Sequence, residues 1–131
     1  MVYYRRKGSA IVETRKGILV VAGRSKRYML PGGGADKGES RKRATIRELR
    51  EETGLKTKSI KHFKSYIGGK WYNRHGPLRN NTKVFVVNAY GRARPRHEIK
   101  YLAYWKPGSR LRVSEGTKAL MSEYLEGKKK V

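Results

Sequence analysis

Apolar and polar positions along this chain fall mostly into short runs, and the pattern predicts strands first. Residues 9–13 (SAIVE) and 17–22 (GILVVA) are apolar and β-branched, separated by Thr14, Arg15 and Lys16. That predicts two antiparallel strands joined by a short turn. Tyr28, Met29 and Leu30 predict a short strand ending at Pro31, and the Gly32-Gly33-Gly34 run after it predicts a loop with permissive dihedrals. Ser40 then stands as an N-cap for a helix ending near Thr53, with Ala44, Thr45 or Ile46, and Leu49 facing inward. Gly54 suits the left-handed residue that ends many helices. Residues 58–67 predict a strand through Ile60, Phe63, Tyr66 and Ile67. Residues 68–81 (GGKWYNRHGPLRNN) are turn-rich and predict a long loop, followed by strands at 82–90 (TKVFVVNAY) and 99–105 (IKYLAYW). A last helix is predicted over 114–126, capped by Ser114, with Ala119, Leu120 and Leu125 turned inward. This order of strands, helix, strands and helix predicts an α/β fold, a mixed sheet between helices.

With 131 residues the chain is expected to form one domain, residues 1–131, with a modest core. It has no cysteine, which excludes disulfides, zinc–thiolate sites and a cysteine nucleophile. The opening residues carry charges without a long apolar run, and no stretch matches a membrane span. The expectation is a soluble cytoplasmic protein without a signal peptide or membrane partner.

Charge changes the picture. The chain carries 33 Lys and Arg against ten Asp and Glu, a formal +23. Residues 33–55 hold six basic and five acidic side chains, which leaves 27 basic and five acidic among the other 108 residues. Such a body attracts polyanions: polyphosphates, nucleic acid or anionic surfaces. A merely solvated basic surface is the plainer reading. The Lys128-Lys129-Lys130 tail is short and expected to fray.

Within residues 33–55, Glu48, Glu51 and Glu52 stand at i, i+3 and i+4. On a helix these share a face, and clustered carboxylates repel unless a cation sits among them. A hard divalent ion such as Mg²⁺ takes oxygen ligands and answers that need. Arg47 and Glu51 are four apart, so the guanidinium can orient a carboxylate. Glu39 lies before the helix, where an anion is favourable. Glu98 is one of five acidic residues outside the segment and opens the strand run at 99–105, where it can also pair with Arg94 or Arg96. The histidines at 62, 75 and 97 lack metal-site spacing.

The segment 33–55, GGADKGESRKRATIRELREETGL, resembles the Nudix box at every restricted position: Gly33, Glu39, Arg47, Glu48, Leu49, Glu51, Glu52, Gly54 and Leu55. The resemblance implies an α/β/α sandwich in which the box forms a loop-helix-loop. It implies hydrolysis of a pyrophosphate bond in a nucleoside diphosphate linked to another group, with Mg²⁺ as cofactor and Mn²⁺ as a substitute. It further implies that Glu51 and Glu52 hold the metal. Glu48 then serves as ligand or orients the attacking water, and the Gly32 carbonyl, Glu39 and a downstream Glu such as Glu98 are further ligands. Tyr28 stands three residues before Pro31, where the family often has Trp, and either stacks on a base or packs in the core. Trp71, with Tyr72, Asn73, Arg74 and His75, is a candidate cover for a base. Arg5, Arg6, Arg24, Lys26 and Arg27 flank the strands leading into the box and are candidate phosphate contacts. The leading substrates are a nucleoside triphosphate or a dinucleoside polyphosphate. An RNA 5′ end and, from the Pro-Gly-Gly-Gly run, a diphosphoinositol polyphosphate are alternatives, as is a nucleotide- or nucleic-acid-binding protein without turnover.

Overall fold

The computed structural model describes residues 2–129. Strand β1 (Tyr3–Ile11) leads into β2 (Glu13–Thr14) and β3 (Gly17–Ala22). Next come β4 (Gly32–Gly34), helix α1 (Arg41–Thr53), and strands β5 (Lys56–Ile67), β6 (Trp71–Asn73) and β7 (Gly76–Tyr90). Strand β8 (Tyr101–Trp105) and helix α2 (Glu115–Lys129) follow. Among the described residues β4, β1, β7 and β5 form a sheet in that order, with β6 paired to the start of β7. Strand β1 runs parallel to β7, from Tyr3 opposite Leu78 to Ile11 opposite Val86. The other pairings in this sheet are antiparallel, so the sheet is mixed. A smaller antiparallel sheet contains β2, β3 and β8.

The alternation of strand side chains divides the core in two. Ala10, Leu19, Phe85 and Val87 pack with Leu49 of α1, whereas Ile11, Val20, Val84 and Trp105 pack with Leu120 and Met121 of α2. Helices therefore cover opposite faces of a mixed sheet, as the hydrophobic pattern predicts. Among the described residues, no helix is long and apolar enough to cross a membrane.

Helix α1 begins and ends where its sequence says it should. The Ser40 hydroxyl accepts the Arg43 N–H at 3.0 Å, a cap worth about 1 kcal/mol. Gly54 closes the helix in the left-handed region at φ 79°, its N–H on the Arg50 carbonyl. Thr45, not Ile46, completes the inward stripe: it is fully buried, and its hydroxyl is satisfied by the Arg41 carbonyl at 2.8 Å.

Several boundaries differ from the sequence pattern, each for a tertiary reason. The glycine run at 32–34 is a strand, not a loop, because it pairs with β1, close against the Gly8 carbonyl at Gly32 and under Glu48 of α1 at Gly33. A Cβ on Gly33 would stand 2.6 Å from Glu48 Cδ, and one on Gly34 would stand 2.9 Å from Arg5 Nη2. Residues 9–11 leave the predicted hairpin and pair with β7 and β4 instead, and only Glu13 and Thr14 pair with β3. Strand β1 also starts at Tyr3, since its charged first half is zipped to β7. Tyr28 and Met29 make single bridges, to Val113 and Val21, rather than a strand.

The predicted loop at 68–81 is a hairpin, β6 with the start of β7, turned by Asn73 accepting the His75 N–H and by Gly76 at φ 115°. Its glycines, proline and polar residues masked the extended pairing. Strand β8 begins at Tyr101, two residues late, because Ile99 and Lys100 donate to Arg96 and Ala22. Helix α2 runs through Lys128 and Lys129, past the expected end, while Lys130 lies outside the described residues. Ala119 faces solvent, and Met121 and Tyr124 join Leu120 and Leu125 on the inner side.

Gly8 of β1 faces α1, and a Cβ there would overlap the Thr45 hydroxyl and the Arg41 carbonyl. The Arg41 carbonyl is backbone and cannot swing away. Gly8→Ala is therefore expected to destabilise the fold by about 1–3 kcal/mol. Denaturant melts of the variant and wild type check this, and an unchanged midpoint would refute it.

Candidate active site

Glu48 and Glu52 lie one turn apart on α1, on the side that faces β4. Glu98 reaches them from the loop before β8. That loop is tied to the end of α1 by two backbone hydrogen bonds, Arg96 N–H to the Glu52 carbonyl (3.0 Å) and Arg94 N–H to the Thr53 carbonyl (2.9 Å). His97 adopts a left-handed φ of 55°, uncommon for a residue with a side chain, directly before Glu98. The outcome is a carboxylate oxygen from each of Glu48, Glu52 and Glu98, all within 4.8 Å of one another.

Glu52 is buried, with one oxygen accepting the Gly32 N–H at 3.1 Å. Burial, reinforced by the Glu48 and Glu98 carboxylates, pushes its pKa up to about 8 even though the Gly32 hydrogen bond opposes the shift. An all-oxygen set of converging carboxylates, whose mutual repulsion a cation would relieve, fits a hard divalent cation. It fits a soft metal poorly.

Arg47 sits at the centre of the remaining acidic groups. Its Nε and Nη2 donate to the two oxygens of Glu39 at 2.9 and 3.0 Å, a paired contact. Its Nη1 donates to Glu48 (2.8 Å) and Glu51 (3.2 Å), and its Nη2 also reaches the Gly34 carbonyl (3.1 Å). One guanidinium thus links α1, the loop before it and β4. The Glu39 contact is the main cause that raises Arg47 far above its ordinary value, and Arg47 and the Asp36 N–H hold Glu39 down to about 2.

The structure brings together some of the residues singled out in the sequence and separates others. Glu48, Glu52 and Glu98 converge, whereas Glu51 points to Arg47 with its side chain 45% exposed, and Glu39 is engaged by the same guanidinium. Gly32 touches the cluster through its N–H. Arg5 and Trp71 line one cleft of about 800 Å³, together with Tyr3, Asn73, His75 and Pro77. Arg27 and Tyr28 line a separate groove beside Arg112, with Tyr28 also packed on the core, and Arg24 is exposed in the turn after β3.

Lys7 is a residue that sequence reasoning overlooked. It pairs with Gly34 in register, and burial, with Arg5 nearby, lowers its pKa despite the opposing pull of Glu52 and Glu48. The signal was available in the alternation: Arg5 and Lys7 continue the face that Ser9 and Ile11 bury, once the strand is extended to Tyr3.

The NUDIX domain model matches residues 4–109. No curated protein matches the chain. Among solved structures, a nudix hydrolase family member from Chromobacterium violaceum is 33% identical, with 95% of this chain and 78% of that one covered and a TM-score of 0.76. A MutT NUDIX hydrolase from Burkholderia pseudomallei shares the fold at 19% identity, with 92% and 97% covered and a TM-score of 0.69. An ADP-ribose pyrophosphatase from Streptococcus suis does so at 18% identity, with 92% and 90% covered and a TM-score of 0.66. Fold and site together define a hydrolase of pyrophosphate bonds. The chain belongs to the Nudix family.

A pH dependence follows from Glu52. Unfolded, its carboxyl ionises near 4.3, whereas folded it keeps its proton to about 8. Between those values the folded state binds more protons, so stability contributed through this group falls as pH rises and is level below that window. Thermal melts of metal-free protein from pH 5 to 8.5, roughly spanning that window, should show a steeper decline for wild type than for Glu52→Gln. Added Mg²⁺ should then raise the wild-type midpoint at the alkaline end more than that of the variant. Parallel pH profiles for the two proteins would contradict this account.

Proposed function

We propose that this protein hydrolyses the pyrophosphate bond of a nucleoside diphosphate derivative, with a nucleoside triphosphate or dinucleoside polyphosphate as the leading substrate and Mg²⁺ as the cofactor. The observation that carries the reading is the convergence of Glu48, Glu52 and Glu98 beside a strand whose next residue meets Arg5. Gly33 adjoins Glu48 on the helix side of β4 and Gly34 adjoins the Arg5 guanidinium on the opposite side, so a phosphate chain crossing the edge of the sheet at β4 passes from one to the other. Arg5 leads on to the cleft of Tyr3, Trp71, Asn73 and His75, which offers rings to stack on a base and polar groups to hydrogen-bond its edge.

Glu48, Glu52 and Glu98 would hold the cation, with the Gly32 carbonyl, Glu39 and Glu51 as further ligands that the family pattern suggests. When bound, the cation neutralises phosphate charge and lowers the pKa of water for attack. Glu48 orients the water or accepts its proton. Arg47 keeps Glu48 in position through a hydrogen bond from its Nη1. Arg5 and Lys7 offset the negative charge spread over the phosphoryl oxygens.

Phosphate release from a panel of pyrophosphate compounds, with and without Mg²⁺, tests the function. Glu52→Gln is expected to lower metal-dependent turnover on the order of 10²–10³-fold while the protein stays folded. Trp71→Ala is expected to raise KM more than it lowers kcat. If no pyrophosphate compound is cleaved with the metal present, or if Glu52→Gln retains wild-type turnover, the reading fails.

A further inference from the structure

The sheet face under α1 is covered only along part of its length. The helix starts at Arg41, whose guanidinium donates to the Asn81 carbonyl and Oδ1 at 3.2 and 2.8 Å. Towards the beginnings of β1 and β7 the face continues without a covering helix among the described residues. Alternation and register place Tyr4, Arg79, Ile67 and Tyr72 there, since Gly8 and Phe85 on the same alternation pack against α1. Tyr4 stands opposite Arg79, Ile67 opposite Asn81, and Tyr72 opposite Pro77. Tyr4 is 51%, Ile67 54% and Tyr72 69% exposed. Strand spacings of about 5 Å across and 3.4 Å along put Tyr4 and Tyr72 roughly 12 Å apart, astride Arg79. Trp71 and Arg5 fall on the other face, in the cleft described above.

Charge singles out the same sheet. Residues 53–97, which include β5, β6 and β7, contain eleven Lys and Arg and no Asp or Glu, and β1 contains no acidic residue either. Six of these cations lie on β5 and β7 and the rest in the connecting loops. Of the eleven, among the described residues, only Lys64 forms a salt bridge, with Glu123 of α2, so the segment projects a positive field of its own. Exposed rings interspersed with guanidinium groups on a flat surface suit unpaired bases, which offer π-faces to stack and phosphates to pair. A duplex hides its base faces, and a lipid surface is met by a continuous apolar face rather than rings separated by cations.

We propose that this open face is a docking surface for single-stranded nucleic acid, with Tyr4 and Tyr72 as stacking platforms on either side of Arg79. The site is distinct from the catalytic cleft, and no divalent metal takes part. The test is fluorescence anisotropy in EDTA at low salt, using a labelled oligouridylate about 12 nucleotides long, with heparin as a polyanion that has no bases. Tyr4→Ala with Tyr72→Ala is expected to weaken oligouridylate binding roughly tenfold or more and to leave heparin binding within about twofold. The double Phe variant, which keeps both rings, is expected to bind like wild type, whereas Arg79→Glu is expected to weaken both ligands. Absence of oligouridylate binding, an equal loss for heparin in the double Ala variant, or equal competition by duplex RNA or anionic vesicles would overturn the proposal.

Discussion

Helix α1 brings its carboxylates to the sheet edge only because the strand beneath it has no side chains. Gly33 lets β4 lie close under the helix, Gly32 lets it lie close to the Gly8 carbonyl of β1, and Gly34 leaves room for the Arg5 guanidinium. Glu48 then rests against Gly33, and Glu52 reaches the Gly32 N–H. Gly8 has the same role one strand further in, against Thr45 and Arg41. The position of the acidic cluster, the path available to a phosphate chain and the packing of Leu49 into the core all follow from that close approach.

Gathering carboxylates in a partly buried place is unfavourable, and the molecule handles its acidic groups in two ways. Arg47 spreads one guanidinium over Glu39, Glu48 and Glu51, which fixes their orientation. Glu52, beyond Arg47, is left to desolvation and to the repulsion of its neighbours, and its affinity for a proton rises accordingly. The charge deficit is therefore concentrated at one oxygen set of Glu48, Glu52 and Glu98, the place where a divalent cation relieves most strain.

The mixed sheet separates two chemistries by strand alternation. Consecutive residues of β6, Trp71 and Tyr72, point to opposite faces, one into the cleft beside Arg5 and the other onto the uncovered surface beside Arg79. The same holds for Arg5 and Tyr4 on β1. A strongly basic sheet can thus present positive charge to a small phosphorylated ligand on one side and to a larger polyanion on the other, with no residue shared.

Local chemistry was readable directly from the chain. The spacing of Ser40, Leu49 and Gly54 defined α1 and its ends, the β-branched runs defined β3 and the body of β7, and the Nudix pattern at 33–55 marked the acidic helix. These features depend on neighbours within a few residues, and periodicity and capping carry such information. What depended on distant partners was not legible. Only tertiary packing turned the glycine loop into β4 and drew residues 9–11 into a parallel pairing with β7. Packing also made a hairpin of 71–78, set half-buried Lys7 beside Gly34, and turned Glu51 to Arg47 and away from the cluster in which Glu98, as the resemblance implied, joins Glu48 and Glu52. Each of those outcomes is set by which surfaces meet, and a one-dimensional pattern records the surfaces without recording the meeting.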